Sequence, residues 1–360
     1  MAGISNVFTR FIDRTRFRPS TADLSLHLGL AKRVVEDMTT RLGQPCELVD
    51  VHATRTGSLT IRVDAGRAYF AKLPLQASTE PRLRQNAHTL QSLGQAGWMT
   101  PFLSTRCPTL LLTGTADNYF YSVETAVTGQ DGATILKSGG SSHDMILSAE
   151  RFLVKLQKAS AEMPGPGGPR WEDGFESAVR RVEQMTARVR SAEIFTDLVD
   201  DIRTRLSRHV VPSVFSHGNF WLGNALFNPS SALTGVIDWD CADECSLPAL
   251  DVIYLLIRTH TQARSTAFGD GVADWIDADS LPFLDSCLAR HFHELSLPPA
   301  LGVPLSYCAW IQHLDGHCRY DTTKGTDVRW LERNVRQVLE RWRLWNIAGR
   351  RNDHRWQRVR

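Results

Sequence analysis

The chain has 360 residues, 42% of them hydrophobic, which is enough to bury the core of a two-lobed enzyme or of two ordinary domains and excludes global disorder. Its 41 basic and 39 acidic side chains leave a formal charge of +2, which excludes a strong overall field for nucleic acid or an anionic membrane. Residues 1–19 interleave Arg and Asp with apolar residues, unlike a signal peptide, and no apolar run approaches the roughly 20 residues that cross a bilayer. Seven scattered cysteines in a chain of this size read as reduced thiols, so a cytoplasmic protein is expected.

Taken in chain order, residues 21–43 repeat Leu, Ala and Val at helical spacing behind a Ser-Thr-Ala-Asp start and stop at Gly43, which predicts a helix. Runs rich in Val, Ile, Leu, Tyr and Phe follow at 46–54, 58–64 and 67–73. Turns at Thr56-Gly57-Ser58 and Asp64-Ala65-Gly66 make these an antiparallel meander. A helical segment at 80–96 leads past Gly97 and Pro101 to two further β-like runs, 110–115 and 118–127, joined near Ala116-Asp117. Helical patterns cover 145–163 and 172–209, separated by the Gly/Pro-rich stretch 165–169, and resume from 247 to the C terminus. One β-like island, 214–240, interrupts them. Near the end, Trp310, Trp330, Trp342 and Trp345 recur with Leu and Val at helical spacing and read as core. The resulting division is a helical extension (1–43), a β-rich nucleotide-binding lobe (44–127), a helical lobe with catalytic and metal loops (128–350) and a basic tail (351–360).

The island carries the chemistry. His217-Gly218-Asn219 follows Val214 and Phe215, Asn224 comes five residues after Asn219, and a hairpin turning at 228–231 returns the chain to Asp238, close to Asn224. An amide oxygen beside a carboxylate gives hard oxygen ligands for magnesium, and a lysine gives a point cation for phosphates. Lys72, at the end of the third predicted strand and on one face with Phe70, is the lysine available.

These residues resemble the aminoglycoside phosphotransferase and choline kinase family of small-molecule kinases. Its pattern is His-Gly-Asp-x-x-x-x-Asn, a short hairpin, an apolar pair with Asp, and about a dozen residues later Asp-apolar. Here it reads His217 to Asn224, then Val236-Ile237-Asp238-Trp239-Asp240, then Leu250-Asp251-Val252. The resemblance spans roughly residues 40–345 and implies an α+β, two-lobed protein-kinase-like fold: an N-terminal antiparallel sheet with a helix, then a mainly helical lobe. It implies ATP or GTP as co-substrate with Mg2+, Asn224 and Asp238 holding the metal and Lys72 the phosphates. It places Glu124 to Val127, with Ala126, at the hinge where adenine pairs with backbone, and has His217 and Asp251 brace the loop. Arg55 and Ser58, in the first turn, would cover the phosphates.

Two positions depart from the pattern. Asn219 stands where the family has its catalytic aspartate; an amide orients a hydroxyl but has no useful basicity, and loss of a general base costs about 10² to 10⁴ in rate. Asp240 is the nearest carboxylate by sequence and the alternative base or metal ligand. The helix glutamate that pairs with the strand lysine is replaced by Asn86, with Glu80 as a substitute from the preceding loop. Phe220, Trp221, Asp240, Asp243 and Glu244 form the expected acceptor wall, and their carboxylates suit a cationic acceptor. The expected function is therefore transfer of the γ-phosphate to a hydroxyl of an amino sugar, aminocyclitol or amino alcohol, with no nucleic acid or membrane partner. Two alternatives stay open: a pseudokinase that binds nucleotide or ligand and regulates a protein partner, and nucleotidyl transfer on the same fold. Cys241 with Cys245, and His313 with His317 and Cys318, lack zinc spacing and read as buried thiols and surface histidines.

Overall fold

The computed structural model describes residues 21–54, 57–163, 171–277, 282–320 and 323–347; Arg55, the Gly/Pro-rich stretch 165–169 and the basic tail lie outside the described residues. The chain divides into two units. The first runs to Met99, continues through Ser104–Val127 and takes in Asp238–Asp240; the second contains Thr100–Leu103, Thr128–Ile237 and the chain from Cys241 onward.

In the first unit, α1 (Thr21–Leu42) is followed by β1 (Glu47–Ala53), β2 (Ser58–Asp64), β3 (Ala68–Pro74) and α2 (Glu80–Gln95) and, beyond α3 (Pro101–Ser104), most of which belongs to the second unit, by β4 (Leu110–Ala116) and β5 (Tyr119–Thr125). The strands form one antiparallel sheet in the order β1-β2-β3-β5-β4. Alternation turns Leu59, Ile61 and Val63 of β2 inward with Ala71 and Leu73 of β3 and Tyr121 and Val123 of β5. Leu30, Val34 and Met38, one helical turn apart on α1, cover that face. Tyr121 Oη donates to Asp37 and Arg41 donates to the carbonyl of Thr113, which fixes α1 to β5 and β4. The β4–β5 turn lies at Asp117-Asn118, one residue beyond the expected place; both residues have positive φ (48° and 68°), as a two-residue hairpin with right-handed strand twist requires.

The second unit is mainly helical. After β6 (Gln130–Asp131) come α4 (Gly132–Lys137), α5 (Ser142–Ser160), α6 (Trp171–Arg188) and α7 (Ala192–Leu206). The predicted helix over 172–209 is therefore two. α6 ends where Arg190 turns left-handed (φ 55°) and the Ser191 N–H bonds to the Thr186 carbonyl; no Gly or Pro marks the break, and the apolar spacing runs through it. β7 (Val214–Ser216), β8 (Ala225–Phe227), β9 (Leu233–Val236) and β10 (Asp243–Ser246) follow, with β10 paired to β7 and β8 between β6 and β9. β6 and β10 are absent from the sequence expectation because two and four residues are too few to display alternation. Then come α8 (Leu250–Arg264), α9 (Phe268–Asp277), α10 (Pro282–Glu294), α11 (Gly302–Tyr320), α12 (Val328–Leu331) and α13 (Gln337–Ile347). Among the described residues no helix is long and apolar enough to cross a membrane.

Trp310, Trp342 and Trp345 are buried as their spacing predicts, whereas Trp330 is half-buried with its ring 4.8 Å from that of His317. Trp310 is fully enclosed, meets Phe195 edge-on at 6.3 Å and donates its indole N–H to the Asn334 carbonyl at 2.7 Å. Trp310→Ala should lower the unfolding free energy by about 3–5 kcal/mol, the range for emptying a buried aromatic site, read by denaturant titration.

Candidate active site

In the first unit, β3 presents Lys72 to β5. The β3–β5 register sets Phe70 opposite Glu124 and Lys72 opposite Ser122, so the lysine and the glutamate come from adjoining strands. The Lys72 ammonium lies 2.8 Å from Glu124 Oε1 and 2.8 Å from Asp238 Oδ1. Burial by itself would lower its pKa; the two carboxylates outweigh that and raise it, so Lys72 is a fixed cation at any physiological pH. Asp238 has φ 62°, a left-handed conformation that Asp adopts more readily than most residues.

Helix α2 secures the carboxylates from behind. Asn86 Nδ2 donates to Glu124 Oε2 at 3.0 Å, and Asn86 Oδ1 accepts the Trp239 N–H at 3.0 Å; both bonds are buried. One turn earlier, Arg82 Nε donates to Asp240 Oδ2 at 2.7 Å. Two side chains four residues apart on one helix face thus hold the 238–240 segment in the first unit.

Several expected roles change here. Glu124, expected at an adenine-reading hinge, lies inside β5 and supplies the acid that pairs with Lys72. Neither Asn86 nor Glu80 does so: Asn86 binds Glu124 itself, and Glu80 is paired at the surface with Arg84 at 2.7 Å. The Ala126 N–H donates to the Ala68 carbonyl at 3.0 Å, extending the β3–β5 ladder, so this donor is not open to adenine. Ser58 closes its own hairpin, its N–H bonded to Thr54 Oγ1 at 3.1 Å and its Oγ 2.7 Å from the same oxygen. Asp240 is buried against Arg82.

In the second unit, the loop between β7 and β8 is held by α8. The N–H groups of His217 and Gly218 donate to Asp251 Oδ2 and Oδ1 at 2.7 and 2.9 Å. Burial pushes the Asp251 carboxyl up to about 6, although both backbone bonds favour its charged form. The buried His217 ring donates from Nε2 to the Ile237 carbonyl at 2.9 Å, which leaves Nδ1 to accept the Asn219 N–H at 3.4 Å. Gly218 has φ 76°, and a Cβ there would stand 2.0 Å from the Cys241 carbonyl oxygen, so glycine is required on both counts.

Asn224 closes the loop. Its Nδ2 donates to the Asn219 carbonyl at 3.0 Å, its N–H to the Trp221 carbonyl at 2.9 Å, and its own carbonyl accepts the Ile237 N–H at 2.9 Å. With Nδ2 fixed in this way, Oδ1 is the acceptor atom of the amide. Phe220 is fully buried against His217 and Phe152, so it is no part of an acceptor wall; Trp221 and Asn219 are half-buried.

Residues 56–284 match the phosphotransferase enzyme family (APH). The chain belongs to that family. Comparison with curated proteins by sequence finds no match. Among solved structures, this phosphotransferase is similar to the GDP complex of a variant of aminoglycoside 2'-phosphotransferase-IIIa (15% identity, TM-score 0.50, covering 89% of this chain and 99% of that one). It is also similar to aminoglycoside phosphotransferase APH(3'')-Id from Streptomyces rimosus in complex with ADP and streptomycin (16%, 0.49, 81% and 98%). A third is choline kinase from Cryptosporidium parvum (8%, 0.46, 84% and 91%). At such identities the first of these supports the fold alone: an N-terminal five-stranded antiparallel sheet followed by a mostly helical part.

Asn86→Ala strips a buried donor from Glu124 and a buried acceptor from the Trp239 N–H. It should lower stability by about 1–3 kcal/mol in denaturant titration. Asp251 gives a pH-dependent signature. Its folded pKa lies above the ordinary aspartate value, so between about pH 4 and pH 6 the folded state holds more protons than the unfolded one and stability falls as pH rises. The stability difference between wild type and Asp251→Asn should shrink across that interval, measured by unfolding at a series of pH values.

Proposed function

We propose that this phosphotransferase moves the γ-phosphate of ATP or GTP to a hydroxyl of a small molecule. The observation that carries the reading is the buried Lys72 ammonium held between two carboxylates, one of them the motif residue Asp238. The family assignment and the GDP complex of the aminoglycoside 2'-phosphotransferase-IIIa variant support a purine nucleotide. Lys72 would attract phosphate oxygens as a point charge. Asp238 and Oδ1 of Asn224 are hard oxygen donors that fit Mg2+, which when bound would neutralise triphosphate charge. Asn219 orients the acceptor hydroxyl through its amide oxygen and takes no proton. Phosphoryl transfer tolerates this better than acyl transfer does, because its loose transition state is stabilised mostly by positioning and charge neutralisation. We assign Asp240 to anchoring its segment on Arg82. Of the carboxylate wall on which an amino sugar, aminocyclitol or amino alcohol acceptor rested, Asp240 is paired with Arg82.

Asn219 also favours a second reading, a nucleotide-binding pseudokinase that regulates a protein partner. Nucleotide turnover by wild type and Asn219→Asp, across hydroxyl-bearing acceptors, separates the two. If a base is all that is missing, Asn219→Asp raises turnover by about 10² to 10⁴. Equal inactivity of both, with magnesium-ATP still raising the melting temperature, establishes the binding role. Asp238→Ala should abolish the magnesium-dependent part of that shift, and a folded wild type that does not respond to millimolar nucleotide sinks both readings.

A further inference from the structure

Three acids and two aromatic side chains are the acceptor wall expected from the sequence. Of the three acids assigned to it, Asp240 lies in the first unit on Arg82. Asp243 and Glu244 are exposed on β10, where Asp243 Oδ1 accepts the Cys245 N–H at 2.9 Å. β10 sets Asp243 opposite Ser216, at the entry to the loop of Asn219, and α8 brings a cation to Trp221 within that loop. Helix α8 places Asp251 and Arg258 seven residues apart, on one face. The first binds the loop backbone at His217 and Gly218, and the second sets its guanidinium 5.6 Å from the ring centre of Trp221, two residues past Asn219.

Arg258 is half-buried, and among the described residues no carboxylate is ion-paired with it. The Trp221 ring is its cation–π partner, a contact that does not use the guanidinium N–H donors. Tyr254, one turn earlier on α8, and His313 of α11 have rings 5.8 Å apart, and both are half-exposed. Burial pushes the Tyr254 phenol up to about 12, so it is a neutral hydroxyl. Burial, with His317 and Arg258 beside it, holds His313 well below the ordinary histidine value, so it is uncharged at neutral pH. Among Arg258, Trp221, Tyr254 and His313, Arg258 is thus the charged side chain.

We infer that the acceptor of this phosphotransferase is a hydroxyl compound carrying a carboxylate or other anionic group beside a planar ring, with Arg258 binding the anion and Trp221 the ring. The inference rests on the kinase reading for the name acceptor, but its binding chemistry is testable without turnover. Arg258 is a specificity-determining residue in this scheme, selecting by charge-assisted hydrogen bonds that a cationic amine cannot form.

Three ligands that share a ring and a hydroxyl and differ in charge decide the matter: para-hydroxyphenylacetate, tyrosol and tyramine. Each is titrated by calorimetry into the full chain, with and without magnesium and a non-hydrolysable ATP analogue. Para-hydroxyphenylacetate should bind about tenfold more tightly than tyramine, with tyrosol between, as one charge-assisted hydrogen bond would give. Arg258→Gln should remove that advantage and leave tyrosol unchanged, Arg258→Lys should keep most of it, and Trp221→Leu should weaken all three. Equal or tighter binding of tyramine, an order that survives Arg258→Gln in a folded variant, or no binding of any of the three overturns the inference. Stabilisation by magnesium-ATP, measured in parallel, judges the kinase reading separately.

Discussion

The ion triad of Lys72, Glu124 and Asp238 is the interaction on which the first unit's chemistry depends. A lysine this deeply buried is costly unless paired, and a single partner would leave one carboxylate-sized gap in its hydration. Two carboxylates offset that cost, and they hold the ammonium between a strand neighbour and a residue 166 positions further along the chain. Asn86 and Arg82 complete the arrangement from α2, so four separate stretches of sequence meet in one polar network. Such networks are worth keeping only when their members are satisfied, and here Asn86 uses both ends of its amide.

The second unit follows a parallel logic with backbone in place of charge. Its loop from His217 to Asn224 has no regular structure to satisfy its amides, so side chains do it: Asp251 takes two N–H groups, His217 takes one and gives one, and Asn224 ties both ends of the loop. A rigid loop of this kind can hold an amide oxygen and an orienting side chain in place without reorganisation, which is the main protein contribution to phosphoryl transfer. These bonds hold the loop with Asn219 at its third position, its N–H on His217 Nδ1.

Departures from the family pattern are compensated locally. Where α2 lacks a glutamate, β5 provides one, and the amide at position 86 becomes the donor that holds it. The acid has moved from helix to strand while the lysine keeps an anionic partner. In the second unit, the Arg258 guanidinium lies over the Trp221 ring.

The sequence alone determined what is periodic or locally spaced. The five strands and leading helix of the first unit follow from alternation and turn residues, and the loop and hairpin from His217 to Asp238 from fixed intervals in one short stretch. Contacts between distant stretches were decided only by the tertiary structure. Glu124 is the last residue but one of its strand and carries no mark of Lys72; their meeting depends on the register of β3 with β5. Asn86 looked like a missing acid because its partner was out of sight. The same holds for Asp240, drawn to Arg82, and for Arg258, whose place over Trp221 follows from the docking of α8 on the loop. The break at Arg190 was hidden for a different reason: hydrophobic spacing reports which face is buried and is blind to a left-handed residue that continues the same face.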